Sequence, residues 1–368
     1  MLPRACVRID MSTPSDSPQV GFRRHNFDLL RILVAVLVLF NHTTLYLGLD
    51  KQCPRLISFF PGVPIFFIIS GFLVSRSYET ASDLWSYARN RLLRIFPGLW
   101  VCVLLTILVA TYFGYDFLQL RGLAWLVAQL GGAIYTPGFL KSFGFGSYNG
   151  SLWTIPLVLQ FYVLLPVAYF VLSRRGDLTR GLVALWGVFL VLALIFRPMT
   201  VFIEGQPDPL DLKLLRYSFV PHFYLFLFGV LLRRVQAHES SLIKGKAPIW
   251  LAAYIAVMYV IPDSDVKYVL HPLALGLVVL SAACTGPDLA RLVFRGNDLS
   301  YGVYIYHGLV INIFVELGLV GSPAYAWILA GVTFALALLS WRLVERPFLR
   351  KKRQSIRQVP VPGANVAV

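Results

Sequence analysis

An arginine and a histidine in one long apolar stretch are the residues best placed to do chemistry. Arg31 and His42 lie in segment 26–48, which is long enough to cross a bilayer as a helix. At about 1.5 Å and about 100° per residue, the two side chains share one helix face, about 16 Å apart, and Asp28 falls on that face too. An ionisable group at such depth marks a functional site by default, and the plainer interpretation is a histidine that only bonds a neighbouring helix.

Two arginines in segment 89–100 form a second candidate site. Arg91 and Arg94 are spaced to share a helix face, and Pro97 is predicted to open the next span. Because the planar guanidinium binds phosphate in a bidentate manner, the pair is predicted to clamp an anionic cosubstrate with an apolar tail, such as acyl-CoA. The alternative is ordinary positive charge at the cytoplasmic membrane surface.

Polar residues within other apolar runs are further candidates for binding. The backbone of Ser70 and Gly71 is predicted to line a pocket beside His42, with plain helix packing as the alternative. Three residues in segment 149–166 surround the outer half of a later span: Trp153, Gln160 and Tyr162. Tryptophan and tyrosine also form routine interfacial belts, whereas a glutamine inside an apolar run is expected to face protein.

Two further histidines, His222 and His307, sit in or near apolar segments. Each is more often a packed, hydrogen-bonded side chain than a ligand. Since no HxxxH or HExxH pattern accompanies them, no metal site is expected.

The composition is that of a polytopic membrane protein. Of 368 residues, 57% are hydrophobic and only 14% are charged, and mean hydropathy is +0.69. We therefore predict an all-α membrane helix bundle with ten spans, at 29–49, 56–76, 97–114, 151–172, 181–197, 217–233, 247–262, 268–285, 300–319 and 323–344. Segment 122–135 is too short to span and is expected to form a re-entrant or interfacial helix.

The basic residues predict the orientation. With both termini in the cytoplasm, inside segments hold roughly three times as many Lys and Arg as outside segments, which follows the positive-inside rule. This distribution explains the net charge of +15 without a nucleic-acid partner. Residues 1–22 and 351–368 are predicted to be disordered cytoplasmic tails that flank one membrane domain, 23–350.

Six ordered motifs resemble the acyltransferase 3 family of membrane acyltransferases. They are FDLLR with Arg31-x10-His42, GVPIFFIISGF (62–72), RNRLLRIFPGLW (89–100), SLWTIPLVLQFY (151–162), LSYGVYIYH (299–307) and the closing ERP (345–347). The resemblance implies ten membrane helices in a cell inner membrane, and transfer of acetyl or another short acyl group from acyl-CoA. The implied acceptor is a hydroxyl of a cell-envelope glycan or a small metabolite, and a homodimer is one expected assembly.

The resemblance also suggests roles for the candidate residues. His42 is expected to be the general base, with Arg31 steadying the cytoplasmic end. Arg91 and Arg94 would hold the nucleotide end of CoA beside Ser70 and Gly71, and acceptor binding is expected at Trp153, Gln160, Tyr162 and His307. Relatives usually carry a glutamate where this chain has Val158.

A transporter is the rival class. Broken membrane helices with intramembrane His and Arg also suit a proton-coupled carrier or an exporter of a glycan or small metabolite. Inverted-repeat symmetry between the two halves would favour it, and the sequence shows none.

Overall fold

The computed structural model describes residues 26–50, 59–200, 209–289, 292 and 297–349. The two predicted tails, 1–22 and 351–368, lie outside the described residues. The described part is all-α, as predicted. Its helices are α1 (Phe27–Tyr46), α2 (Gly62–Glu79), α3 (Leu84–Tyr112), α4 (Leu120–Leu130), α5 (Thr154–Ser173), α6 (Leu178–Thr200), α7 (Leu210–Arg216), α8 (Phe223–Arg234), α9 (Ala247–Val260), α10 (Asp265–Cys284), α11 (Ser300–Glu316) and α12 (Pro323–Ser340). Short 3₁₀ turns lie at Gly138–Leu140, Gly150–Trp153 and Ala237–Glu239, and a π-helical turn, Trp341–Glu345, continues α12.

Within the described residues, six helical stretches are long and apolar enough to cross a membrane: Phe27–Tyr46, Leu84–Tyr112, Gly150–Ser173, Leu178–Met199, Asp265–Cys284 and Pro323–Leu349. The protein is therefore a multi-pass membrane protein. Each of the ten predicted segments overlaps a helix of the structure, since α2, α8, α9 and α11 account for the other four. The count of ten spans and the orientation stay predictions.

The helix that carries the arginine pair begins earlier than predicted. Pro97 does not open α3 but lies inside it, because the helix starts at Leu84. Its N-cap is Asp83, whose carboxylate accepts a bond from the Ser86 backbone N–H at 2.8 Å. Proline inside a membrane helix is tolerated where neighbouring groups satisfy the backbone. Arg91 and Arg94 therefore stand on the same continuous helix as the apolar span that follows them.

The predicted short helix at 122–135 is α4, which ends at Leu130. Its 11 residues rise about 16 Å, roughly half of a hydrocarbon core. The chain then folds back, and the Trp125 indole N–H donates to the Tyr135 carbonyl at 3.0 Å. Whether α4 is re-entrant or interfacial stays a prediction.

Helices α1 and α11 pack side by side and run parallel. The start of α1 contacts the residue two positions before α11, since Arg31 bonds Asp298. Beyond the other end of α1, Leu47 joins a buried cluster with Val310 and Phe314 of α11. These two helices define the axis along which the candidate site is built.

Candidate active site

His42, one turn before the end of α1, and His307, near the middle of α11, form a hydrogen-bonded pair. Nδ1 of His42 lies 2.9 Å from Nε2 of His307. Nδ1 of His307 lies 3.1 Å from the Val303 carbonyl oxygen, one turn earlier on the same helix. His307 is fully buried, whereas His42 is half-buried.

The bonding pattern selects the tautomer of each ring. A carbonyl oxygen only accepts, so Nδ1 of His307 carries the hydrogen and its Nε2 is an acceptor in the neutral ring. Nδ1 of His42 must then donate to His307. The consequence is that Nε2 of His42 holds a lone pair with no proton on it. Because burying a charged imidazole without a counter-ion is costly, the neutral form of the pair is favoured.

A second cluster joins the starts of α1 and α11 to α3. Arg31 donates from Nη1 to Oδ2 of Asp298 at 2.6 Å, and Arg94 donates to the same oxygen. Oδ1 of Asp298 accepts from the Ser300 backbone N–H at 3.1 Å and from its hydroxyl at 2.5 Å. Asp28, which shares the helix face of Arg31, lies farther from it, at 3.9 Å.

Asp298 is the site residue that the sequence reasoning missed. Its available signal was local, because an Asp two positions before Ser300 suits the first turn of a helix. Burial raises the pKa of Asp298, but the charges of Arg31 and Arg94 and the bonds from Ser300 outweigh burial. The pKa of this carboxyl is therefore held below its usual range, and Asp298 is ionised at neutral pH.

A cleft opens beside this cluster. Arg31 and Arg94 line it together with Ser70 and Tyr162, two further residues that the sequence singled out. Most of its remaining wall is apolar and includes Val158 and Ile155 of α5. Paired guanidinium groups beside an apolar channel suit a ligand with an anionic head and an uncharged arm.

The cleft and the histidine pair share a wall. Tyr304 lines the cleft, and its ring centroid lies 6.0 Å from that of His307. Phe66, which also lines the cleft, packs edge-on against Tyr304 at 5.4 Å. A ligand in the cleft is thus separated from the imidazoles by these two aromatic rings.

The structure places several predicted residues away from the cleft wall. Gly71 packs against α8: a Cβ there would meet the Phe226 carbonyl oxygen at 1.9 Å. The prediction of a pocket-lining Gly71 is therefore corrected to close helix packing, the alternative stated above. Arg91 lies beside the cleft, where it donates to the Ser77 hydroxyl at 3.0 Å and stands over the Tyr162 ring at 5.8 Å.

Gln160 and Trp153 lie near the start of α8. Gln160 accepts from the Phe219 N–H at 2.8 Å and so faces protein, as predicted. Trp153 packs beside the rings of Tyr217 and His222, at 6.0 and 5.6 Å. Neither of the two lines the cleft, so any contact with an acceptor stays a prediction.

Glu345 differs from the surface ion-pair cluster that its Arg-rich surroundings suggest. It is 2% exposed and accepts from the Ser340 hydroxyl at 3.1 Å. Arg342 and Arg346 point outward instead. The reason is the π-helical turn, which rotates Glu345 toward the protein interior.

Among the described residues, no group of three or more His, Cys, Asp or Glu could hold a metal ion.

Comparison with known proteins identifies the family. The acyltransferase 3 model, described as an acyltransferase domain, matches residues 24–342. The chain belongs to this family. It is therefore an acyltransferase, and the resemblance to this family is confirmed.

Three curated relatives show the range of this similarity. "Nodulation protein 10" of Rhizobium leguminosarum bv. viciae is 33% identical over 92% of this chain and 96% of that protein. "O-acetyl transferase" of Shigella phage Sf6 is 27% identical over 88% of this chain and 96% of that protein. "Peptidoglycan O-acetyltransferase OatA" of Listeria monocytogenes is 23% identical over 78% of this chain but 51% of that protein. No solved structure matches the acyltransferase.

Proposed function

We propose that this acyltransferase moves an acetyl or other short acyl group from acyl-CoA to a hydroxyl of a cell-envelope glycan or similar acceptor. The family and the names of two relatives, an O-acetyl transferase and a peptidoglycan O-acetyltransferase, support transfer to a hydroxyl. The observation that carries the proposal is the hydrogen bond between His42 and His307, which leaves Nε2 of His42 as an acceptor on the same helix as Arg31.

Charge supports CoA as the donor. Arg31 and Arg94 line the cleft with Arg91 beside it, and their ion-pair partners are Asp298, which bonds both Arg31 and Arg94, and Asp28, at 3.9 Å from Arg31. Moreover, Nε of Arg91 is buried with no hydrogen-bond partner among the described residues. An anionic phosphate group would satisfy this donor and balance the charge.

Distance supports the same assignment. The rise from Arg31 to His42 along α1 is about 16 Å. An elongated pantetheine arm that starts at the arginines would follow the apolar cleft toward Phe66 and Tyr304. The thioester would then approach the histidine pair from the arginine end.

His42 acts as general base in the chemical step. Its Nε2 takes the proton of the acceptor hydroxyl while that oxygen attacks the thioester carbonyl. The new C–O bond forms and the C–S bond breaks. The protonated His42 then returns its proton to the leaving thiolate. His307 keeps the Nδ1 hydrogen of His42 in place and stabilises the imidazolium that forms transiently.

The test is acetyl-CoA turnover in membranes that contain the native chain or His42→Ala, with envelope glycans analysed for new O-acyl esters. We expect the variant to lose turnover by about 10²–10⁴-fold, the usual contribution of a general base. Normal ester formation by His42→Ala would refute the assignment. If the native chain neither binds CoA nor consumes acetyl-CoA, the transport alternative gains support.

A further inference from the structure

The ends of α1 and α11 that lie away from Asp298 bring a second group of side chains beside His42. Tyr46, the last residue of α1, lies one turn after His42, and the two ring centroids are 5.9 Å apart. Tyr46 stacks on Phe145 with centroids 3.8 Å apart and ring planes at 16°. Both aromatic rings are half-buried, so they keep exposed surface.

The loop that presents Phe145 is fastened to α11. The Asn312 side chain accepts from the Phe145 N–H at 3.1 Å and donates to the carbonyls of Ser147 and Tyr148 at 2.9 and 2.8 Å. Gly144 has a φ of +56°, and a Cβ there would lie 2.0 Å from the Asn312 amide oxygen. Only glycine fits this contact, so the position of Phe145 is set by the helix that carries His307.

Glu316, the last residue of α11, completes the group. Its Oε1 accepts from the Gly144 N–H at 2.8 Å and from the Tyr115 hydroxyl at 3.1 Å. Both bonds use one oxygen, and Oε2 has no hydrogen-bond partner among the described residues. The carboxylate is only half-buried, so Oε2 is available as an acceptor.

We propose that Tyr46, Phe145 and Glu316 form an acceptor subsite that holds a sugar ring of the hydroxyl-bearing substrate. This inference rests on the proposed function and extends it to the acceptor side. An aromatic face packs against the C–H face of a sugar, while a carboxylate oxygen accepts bonds from sugar hydroxyls. The rings and the carboxylate are fixed by the loop contacts in advance, which lowers the entropic cost of binding.

The position of the subsite along the axis of α1 indicates that it binds the acceptor and not a second molecule of the donor. On α1, His42 lies between Arg31 and Tyr46, so the subsite and the arginine cluster approach the base from opposite ends. The arginine cluster attracts an anionic donor, whereas Glu316 would repel one. The subsite is therefore matched to a neutral, hydroxyl-rich ligand.

Binding is tested separately from catalysis by saturation-transfer NMR on the intact chain in detergent. The probes are a β-1,4-linked N-acetylglucosamine tetrasaccharide and maltotetraose. We expect saturation of ring protons of at least one probe by the native chain. Phe145→Ala should weaken that binding on the order of tenfold or more, which corresponds to the loss of one good aromatic contact.

Matched variants distinguish a loss of sugar binding from a loss of folding. Trp327→Ala removes an exposed aromatic ring that packs against Phe40 elsewhere on α1, and it should bind sugar normally. Tyr46→Phe keeps the stack and should bind within a few-fold of the native chain, whereas Glu316→Gln keeps the fold-stabilising bonds and should bind several-fold more weakly. Equal binding by native and Phe145→Ala, or no binding of either probe by the native chain, would overturn the subsite.

The outcome also separates the two proposals. Binding that depends on Phe145, with no acyl transfer under any condition, would keep the subsite and remove the transferase assignment for this site. Transfer to glycan that continues unchanged in Phe145→Ala would keep the function and remove the subsite.

Discussion

Nδ1 of His42 lies 2.9 Å from Nε2 of His307, and Nδ1 of His307 bonds the Val303 backbone carbonyl rather than a carboxylate. A carboxylate behind the second ring would pull a proton onto the pair. A neutral backbone carbonyl orients the His307 ring without attracting an extra proton to the pair. The pair is therefore built to keep one lone pair, on Nε2 of His42, directed away from His307.

The first prediction concerns His307. His307→Ala removes the acceptor that holds the Nδ1 hydrogen of His42, so the base loses its fixed tautomer. We expect kcat to fall by about 10²-fold or more with little change in KM for acetyl-CoA. His307→Gln places an amide oxygen near the former Nε2 and should recover part of the rate. Steady-state kinetics in membranes measures both, and native kcat in His307→Ala would contradict the role.

The second prediction concerns Asp298. Both guanidinium groups bond one oxygen of this carboxylate, so Asp298→Asn should let Arg31 and Arg94 repel each other and separate. We expect KM for acetyl-CoA to rise about tenfold or more, with a smaller change in kcat. Asp28→Asn is the control, because its carboxylate is 3.9 Å from Arg31. A lower KM in Asp298→Asn would mean that Asp298 competes with phosphate instead of arranging the arginines.

The sequence was sufficient for features that are local. Each predicted apolar segment overlaps a helix, because long runs of apolar residues leave a membrane chain no other way to satisfy its backbone. The Arg31–His42 spacing likewise placed both side chains on the face that meets α11. Asp298 could not be found this way, since its bond to Arg31 joins residues 267 positions apart.

Gly71 and Glu345 illustrate what a local pattern leaves open. The glycine-containing run of α2 is equally compatible with a pocket and with tight packing, and only the neighbouring Phe226 carbonyl decides between them. Similarly, Arg-rich flanks suggest an exposed Glu345, but one π-helical turn places it in the interior. Such outcomes depend on partners that are distant in sequence.

The third prediction is a dependence of stability on pH. The folded-state pKa of Asp298 is depressed, so its contribution is present above the unfolded pKa of about 3.9 and is lost as pH falls through the folded value. We expect the thermal midpoint of the detergent-solubilised chain to be insensitive to this group from pH 7 to about pH 5 and to fall below about pH 4. Asp298→Asn should start lower and show a shallower fall. If the thermal midpoints of the native chain and Asp298→Asn fall in parallel as pH is lowered, Asp298 is not the group responsible for the pH dependence.

The fourth prediction uses Val158, which lines the cleft. Val158→Phe adds bulk to the apolar wall near Tyr162 and should obstruct a pantetheine arm. We expect KM for acetyl-CoA to rise several-fold, and more steeply for longer acyl chains, since these need more of the same space. Val163→Phe is the matched control, because that residue lies on the same helix but is 67% exposed. If Val158→Phe and Val163→Phe show the same donor kinetics, the cleft is not the path of the donor and the arginine cluster must serve another anion.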